Sequence, residues 1–138
     1  MTPGLIHHLD LTVTDLERSV EFYEQVLERL GYARTFDYAG EVPCWELRRN
    51  GTILGIGLHR ARTHSPHDRY APGLHHVAFH AASRRDVDEF HEFLRQANIR
   101  ILDAPAEYDY TPGYYAVFFC DPDGLKLELV HEPRLDGR

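Results

Sequence analysis

Lysine is almost missing from this chain: Lys126 is the only one in 138 residues, beside two cysteines, one methionine and one tryptophan. Each scarcity excludes something. With 15 basic against 22 acidic residues and a formal net charge of -7, the chain offers no surface for nucleic acid, because neutralising phosphates takes clustered Lys and Arg. Cys44 and Cys120 are too few for a disulfide framework. With no export signal ahead of them, they are expected as free thiols, and nothing in the sequence sets an activating base beside either. No apolar run approaches the roughly 20 residues of a membrane span, and the N-terminus lacks the charged-then-apolar order of a signal peptide. A soluble, cytoplasmic protein without a membrane partner is the expectation.

Histidine, in contrast, is plentiful: ten residues, several of them in apolar, strand-like stretches. Gly73-Leu74-His75-His76-Val77-Ala78-Phe79-His80 echoes Gly4-Leu5-Ile6-His7-His8-Leu9-Asp10-Leu11, so the chain presents one His-bearing strand twice. In residues 5–13, Leu9, Leu11 and Val13 share one parity and His8, Asp10 and Thr12 the other, giving one apolar and one polar face. Thr14-Asp15-Leu16-Glu17 has the spacing of a capping box. Leu16, Val20, Tyr23, Val26, Leu27 and Leu30 follow at helical spacing, and Gly31 caps the end. Residues 32–38 read as a strand. Residues 42–49 and 52–59 then form a hairpin about Asn50-Gly51, a pair suited to a type I′ turn.

Residues 60–73 mix charge, Pro, Ser and Gly without periodicity and read as a connection, after which the pattern restarts. Leu74–His80 is a strand, Ser83 an N-cap with Asp86 three residues on, and Val87, Phe90, Leu94 and Ala97 line a helix ending at Asn98. Residues 99–103 read as a short strand and 104–111 as a loop. Residues 114–120 and 125–131 form a hairpin about Asp121-Pro122-Asp123-Gly124, and the tail 133–138 is expected to fray. His8 and His76 lie 68 residues apart, Tyr23 and Phe90 67, Gly51 and Gly124 73, which describes a duplication with small loop insertions.

The segments HHLDLTVTDLERSVEFYEQVLERLGY, LHHVAFH and GYYAVFFCDPDGLKLELV resemble the vicinal-oxygen-chelate superfamily. That superfamily includes glyoxalase I, methylmalonyl-CoA epimerase, extradiol dioxygenases and fosfomycin- and bleomycin-resistance proteins. The resemblance implies an α+β fold of two βαβββ modules whose mixed, curved sheets enclose a cavity, with helices on the outer face. Residues 1–138 would be a single glyoxalase-like domain, with module one (4–59) and module two (73–132) joined by loop 60–72. It also implies a divalent metal (Fe, Mn, Ni or Zn) held by His8, His76 and Glu128, a small-molecule substrate with vicinal oxygens, and a homodimer. The family's fourth ligand position falls on Gly55, so the set reduces to two His and one carboxylate, a triad with open positions.

Strand parity adds its own account of the residues. Lys126, Glu128 and Val130 alternate with Leu125, Leu127 and Leu129, so Glu128 stands opposite an apolar row, as do His8 and His76. Pairing across Asn50-Gly51 sets Glu46 opposite Gly55, and Glu46 and His59 are the candidate proton carriers. Asp10, Thr12, Tyr114, Phe118 and Lys126 are the candidate pocket residues. Tyr114, Ala116, Phe118 and Cys120 share Glu128's face if the DPDG turn carries a glycine bulge; otherwise Tyr115, Val117 and Phe119 do. His7 and His75 are placed at strand edges or as supports to the ligands, His64 and His67 on the surface, and His80 and His91 as weaker site candidates.

The chemistry expected first is metal-assisted proton transfer of lyase or isomerase type. Fe(II)-dependent extradiol ring cleavage, with His59 or His80 as acid–base group, is the alternative within enzymes. A metal-free protein that sequesters a ligand, like the bleomycin-resistance proteins, is the alternative outside them. Fosfomycin thiol transfer fits less well, since a cationic phosphonate pocket is hard to assemble around one lysine.

Overall fold

Residues 3–133 are described in the computed structural model, and the chain divides into two compact units, Met1–Ser65 and Pro66–Arg138. The boundary falls inside the expected connection. Beyond Pro133, the tail expected to fray lies outside the described residues.

The first unit runs β1 (His8–Val13), α1 (Leu16–Arg29), β2 (Ala33–Arg34), β3 (Cys44–Arg49) and β4 (Thr52–Arg60). Its sheet has the order β1-β4-β3-β2, with β1 parallel to β4 and the other pairs antiparallel. Helix α1 begins one residue later than the capping-box spacing predicts. The Asp15 carboxylate, not Thr14, accepts the Arg18 backbone N–H at 3.1 Å, since an ionised acceptor is the stronger cap for the helix's free donors. Its apolar stripe buries Phe22, Tyr23, Val26 and Leu27 on the sheet side, where Trp45, Ile56 and Leu58 are also buried. Asn50 (φ 49) and Gly51 (φ 75) both take left-handed backbone, as a type I′ turn demands.

The second unit repeats the order: β5 (His76–His80), α2 (Arg84–Gln96), β6 (Ile101–Glu107), β7 (Tyr115–Cys120) and β8 (Lys126–His131), in a sheet β5-β8-β7-β6. Ser83 caps α2 by accepting from Asp86 N–H at 3.1 Å, and Asn98 takes φ 55 beyond its end, as expected. Val87, Phe90 and Leu94 are buried, and Phe90 meets Phe119 of β7 with ring centroids 5.4 Å apart. Gly124 N–H bonds Asp121 C=O at 3.0 Å, Asp121 N–H bonds Leu125 C=O at 3.0 Å, and Gly124 sits at φ 84. That is the type I turn with a glycine bulge, and its register pairs Phe118 with Glu128. Val117, Phe119, Leu127 and Leu129 therefore line the apolar side, while Ala116, Phe118 and Cys120 share a face with Glu128.

Two edge strands differ from the sequence reading. Only Ala33–Arg34 of residues 32–38 ladder onto β3, with an isolated bridge between Tyr38 and Val42 beyond. Conversely, β6 runs through residues 104–107, which read as loop. Pro105 has no N–H to give, but β6 is an edge strand with irregular register, where that loss is tolerated. Among the described residues no helix is long and apolar enough to cross a membrane.

Phe119 is fully buried and Phe36 is 85% exposed. Phe119→Ala is expected to cost about 3–5 kcal/mol in urea unfolding, and Phe36→Ala to stay within about 0.5 kcal/mol of the parent.

Candidate functional site

The polar face of the first sheet is floored by glycine. In β1–β4 register, His8 lies opposite Gly55, Asp10 opposite Gly57 and Thr12 opposite His59, and on the next pair Glu46 lies opposite Gly55. A Cβ at Gly55 would come 3.3 Å from His8 Cβ, so the bare glycine leaves His8 its room. The result is a cavity of about 430 Å³ walled by His8, Asp10, Tyr38, Glu46, Ile53 and His59. Thr12 lines a neighbouring, more open hollow of about 870 Å³, which His59 also borders.

Within that cavity the acid–base groups are paired. Asp10 Oδ2 is 2.8 Å from His59 Nε2, and Glu46 Oε2 accepts from Arg48 Nη2 at 2.7 Å. Both pairs were legible in principle, since Asp10 and His59 sit diagonally on adjacent strands and Glu46 and Arg48 are two apart on one strand. His8 Nδ1 lies 3.0 Å from His7 Nδ1, the rings edge to face.

The second sheet carries its own set. Glu128 is 1% exposed, and its Oε2 lies 3.1 Å from His76 Nε2 while its Oε1 accepts a short hydrogen bond from the Tyr114 hydroxyl. His76 Nδ1 in turn lies 2.7 Å from His75 Nδ1. The repeated His-His dipeptide thus makes the same contact twice: the first ring of each pair meets the Nδ1 of the second, which in His76 leaves Nε2 to meet Glu128. The doubling of the dipeptide is the signal in the sequence for these supporting contacts of His7 and His75.

Around Glu128, Ala116, Phe118 and Val130 form a buried cluster, with Leu102, Tyr108 and Tyr114 packed against it. Tyr108 meets Phe118 edge to face at 5.3 Å and stacks on Tyr110, and the Lys126 ammonium stands 4.3 Å from the Phe118 ring centre. Of the candidate pocket residues, Tyr114, Phe118 and Lys126 are brought together here, and Asp10 and Thr12 stand on the first sheet.

Ionisation follows these environments. Burial first, and then the bond to Glu128 and its negative charge, push the Tyr114 hydroxyl well above the usual phenol range. Partial burial first, and then the neighbouring His76, Lys126 and Arg69, hold His75 below the ordinary imidazole value. Burial raises the Cys120 thiol, so neither the disulfide nor the nucleophile role has support; both cysteines are free.

Among the described residues no group of three or more His, Cys, Asp and Glu side chains is spaced to hold a metal ion. Of the three candidate ligands, His76 and Glu128 are in contact in the second unit, and His8 stands on the sheet of the first. The donor chemistry fits a divalent ion, since 3.1 Å separates neighbouring ligand atoms that each sit about 2.1 Å from one ion.

A family model described as the Glyoxalase/Bleomycin resistance protein/Dioxygenase superfamily matches residues 5–129. The chain belongs to that superfamily. Among superfamily relatives, YqjT of Bacillus subtilis (strain 168), described as uncharacterized, is 33% identical over 91% of this chain and 97% of its own length. A 2-epi-5-epi-valiolone epimerase from Actinomyces sp is likewise 33% identical, over 95% of this chain and 82% of that enzyme. The crystal structure of a putative glyoxalase from Bacillus halodurans superposes with a TM-score of 0.76 at 32% identity, covering 94% of this chain and 97% of that one. The superfamily's two-module βαβββ plan is thus present in both sequence and backbone.

Tyr114→Phe removes the hydroxyl that satisfies a buried carboxylate oxygen, and is expected to cost about 1–3 kcal/mol. Because folding raises the Tyr114 pKa, its contribution is whole below the ordinary tyrosine value of about 10 and is lost as pH climbs through the folded value. Chemical unfolding between neutral and strongly alkaline pH should show the parent losing stability more steeply than Tyr114→Phe.

Proposed function

We propose that this chain is a divalent-metal-dependent enzyme that moves a proton on a small substrate bearing vicinal oxygens, in lyase or isomerase chemistry. One observation carries the reading: Glu128, almost wholly buried, has an imidazole and a phenol as partners and, among the described residues, no Arg or Lys in ion-pair contact. A carboxylate taken out of water needs positive charge beside it. If His76 gives its Nδ1 proton to His75, its Nε2 turns a lone pair toward the carboxylate, an arrangement that becomes favourable with a cation between them.

His76 and Glu128, in contact within the second unit, are the residues proposed to hold the ion. When bound there, a divalent ion supplies Lewis-acid stabilisation of negative charge on a substrate oxygen. The chain's own contribution is positional. Tyr114 and His75 fix the orientation of Glu128 and His76, and the wall of Tyr108, Tyr114 and Phe118 gives an apolar ligand surface to lie against. Glu46 and His59, both in the cavity of the first sheet, are the groups able to take and return a proton. The epimerase named among the relatives is consistent with chemistry of this type.

A second reading draws on the aromatic wall beside Glu128, which suits a ring substrate: Fe(II)-dependent cleavage of a catechol. Catechol-dependent loss of O₂ by iron-loaded protein would select it over proton transfer. A protein that only sequesters a ligand has no need of a buried carboxylate–imidazole pair, so that alternative gains nothing from the site.

Metal content decides the proposal. Protein purified without a tag and incubated anaerobically with Fe(II) or Mn(II) is expected to retain about one ion per chain. His76→Ala and Glu128→Gln should retain none, and Tyr114→Phe should bind about 10–100-fold more weakly. A parent protein that holds no stoichiometric metal after reconstitution contradicts the reading.

A further inference from the structure

Asp10 occupies a seat that the sheet leaves bare for it. A Cβ at Gly57 would lie 2.6 Å from Asp10 Oδ1 and 3.3 Å from its Cγ, so a side chain there would make the Asp10 carboxylate swing aside, whereas the Gly57 backbone is not in the left-handed region and any residue could adopt it. Glycine there keeps the seat open by leaving space, not by its backbone freedom. What the space accommodates is a carboxylate laid across β4 so that its other oxygen, Oδ2, reaches His59 Nε2 at 2.8 Å.

The duplication gives this seat a counterpart. His76 pairs with Lys126 and Ala78 with Glu128, while His8 pairs with Gly55 and Asp10 with Gly57. Matching His8 to His76 therefore matches Gly57, not Gly55, to Glu128, and Asp10 to Ala78. Matching by turn glycines gave Gly55, because the two hairpins close with turns of different length. In the second unit the carboxylate grows from the last strand opposite a small residue. In the first it grows from the opening strand opposite glycine, and it faces a second histidine.

We infer that Asp10 and His59 form a proton-transfer dyad, in which Asp10 positions His59 and His59, rather than Glu46, takes the substrate proton. This rests on the proton-transfer reading above. An ionised carboxylate only accepts hydrogen bonds, so Nε2 carries the hydrogen and the basic lone pair lies on Nδ1. A carboxylate that holds the ring in one tautomer also stabilises the imidazolium formed when the ring is protonated. Glu46 is placed differently: its Oε2 already accepts from the Arg48 guanidinium, which a proton would have to displace. In the step, the C–H bond next to a substrate carbonyl breaks, its proton goes to His59 Nδ1, and its electron pair moves onto the carbonyl oxygen as an enolate. Return of the proton to that carbon completes epimerisation; return to its neighbour, with the hydroxyl proton passing to the former carbonyl oxygen, completes isomerisation, and neither needs an oxidant or reductant. The substrate class is thus a ketone or aldehyde with a neighbouring hydroxyl-bearing C–H.

Two readouts on the full chain test this, and neither depends on metal. Nitrogen-15 correlation spectra should show His59 as the single Nε2–H tautomer, replaced by a tautomer mixture in Asp10→Asn and in Gly57→Ala. Bromohydroxyacetone, an α-halo hydroxyketone, should alkylate His59 by displacement of bromide. Peptide mapping should place the adduct there, and Asp10→Asn should slow it about tenfold or more. An Nδ1–H tautomer in the parent, an adduct on Glu46, no adduct on either residue, or labelling indifferent to Asp10 would each overturn the dyad. Loss of metal uptake with the tautomer and adduct intact would count against the metal reading alone.

Discussion

A carboxylate buried in an apolar sheet is the constraint from which the second unit is built. Glu128 stands between Leu127 and Leu129, whose side chains face α2, and its own face is closed by Phe118, Ala116 and Val130. Placing it there depends on the bulge at Gly124. One residue fewer in the turn would shift the register and set Tyr115, Val117 and Phe119 on Glu128's face, against their packing on the helix. Tyr115 shows how firmly that side is committed, with its hydroxyl 2.5 Å from Asp88 and the Arg84 guanidinium over its ring. Tyr114, just before the strand, is then free to turn inward and give its hydrogen to the acid.

The first unit solves the same design with the polar groups redistributed. Its glycine floor at Gly55 and Gly57 removes the side chains that would fill the concave face, and its carboxylate comes from β1. Exposure differs accordingly: Asp10 and His59 remain more than two-fifths exposed, whereas Glu128 is sealed. A sealed carboxylate suits permanent charge pairing, and an accessible imidazole suits proton exchange with a ligand. This division of labour between copies of one module connects the duplication in the sequence to the chemistry proposed for it.

Much of this was legible in the chain. The repeat, both helices, the Asn50-Gly51 turn and the parity of His8, His76 and Glu128 follow from spacing, because a helix stripe and a strand face each leave a period in the sequence. Edge strands did not follow. Residues 32–38 contain the apolar alternation of a strand yet find few partners, and 104–107 contain Pro105 yet pair with β7, because edge pairing depends on what a neighbour offers. The bond of Tyr114 to Glu128 was likewise out of reach. It depends on a rotamer that tertiary packing sets, not on composition or period.

The central claim, that His76 and Glu128 hold a divalent ion, meets its most direct test in X-ray absorption at the metal edge of anaerobically loaded protein. The account predicts a first shell containing imidazole nitrogen, recognised by the multiple scattering of the ring, with carboxylate and water oxygens completing it. A shell of oxygens alone, without imidazole scattering, would contradict it.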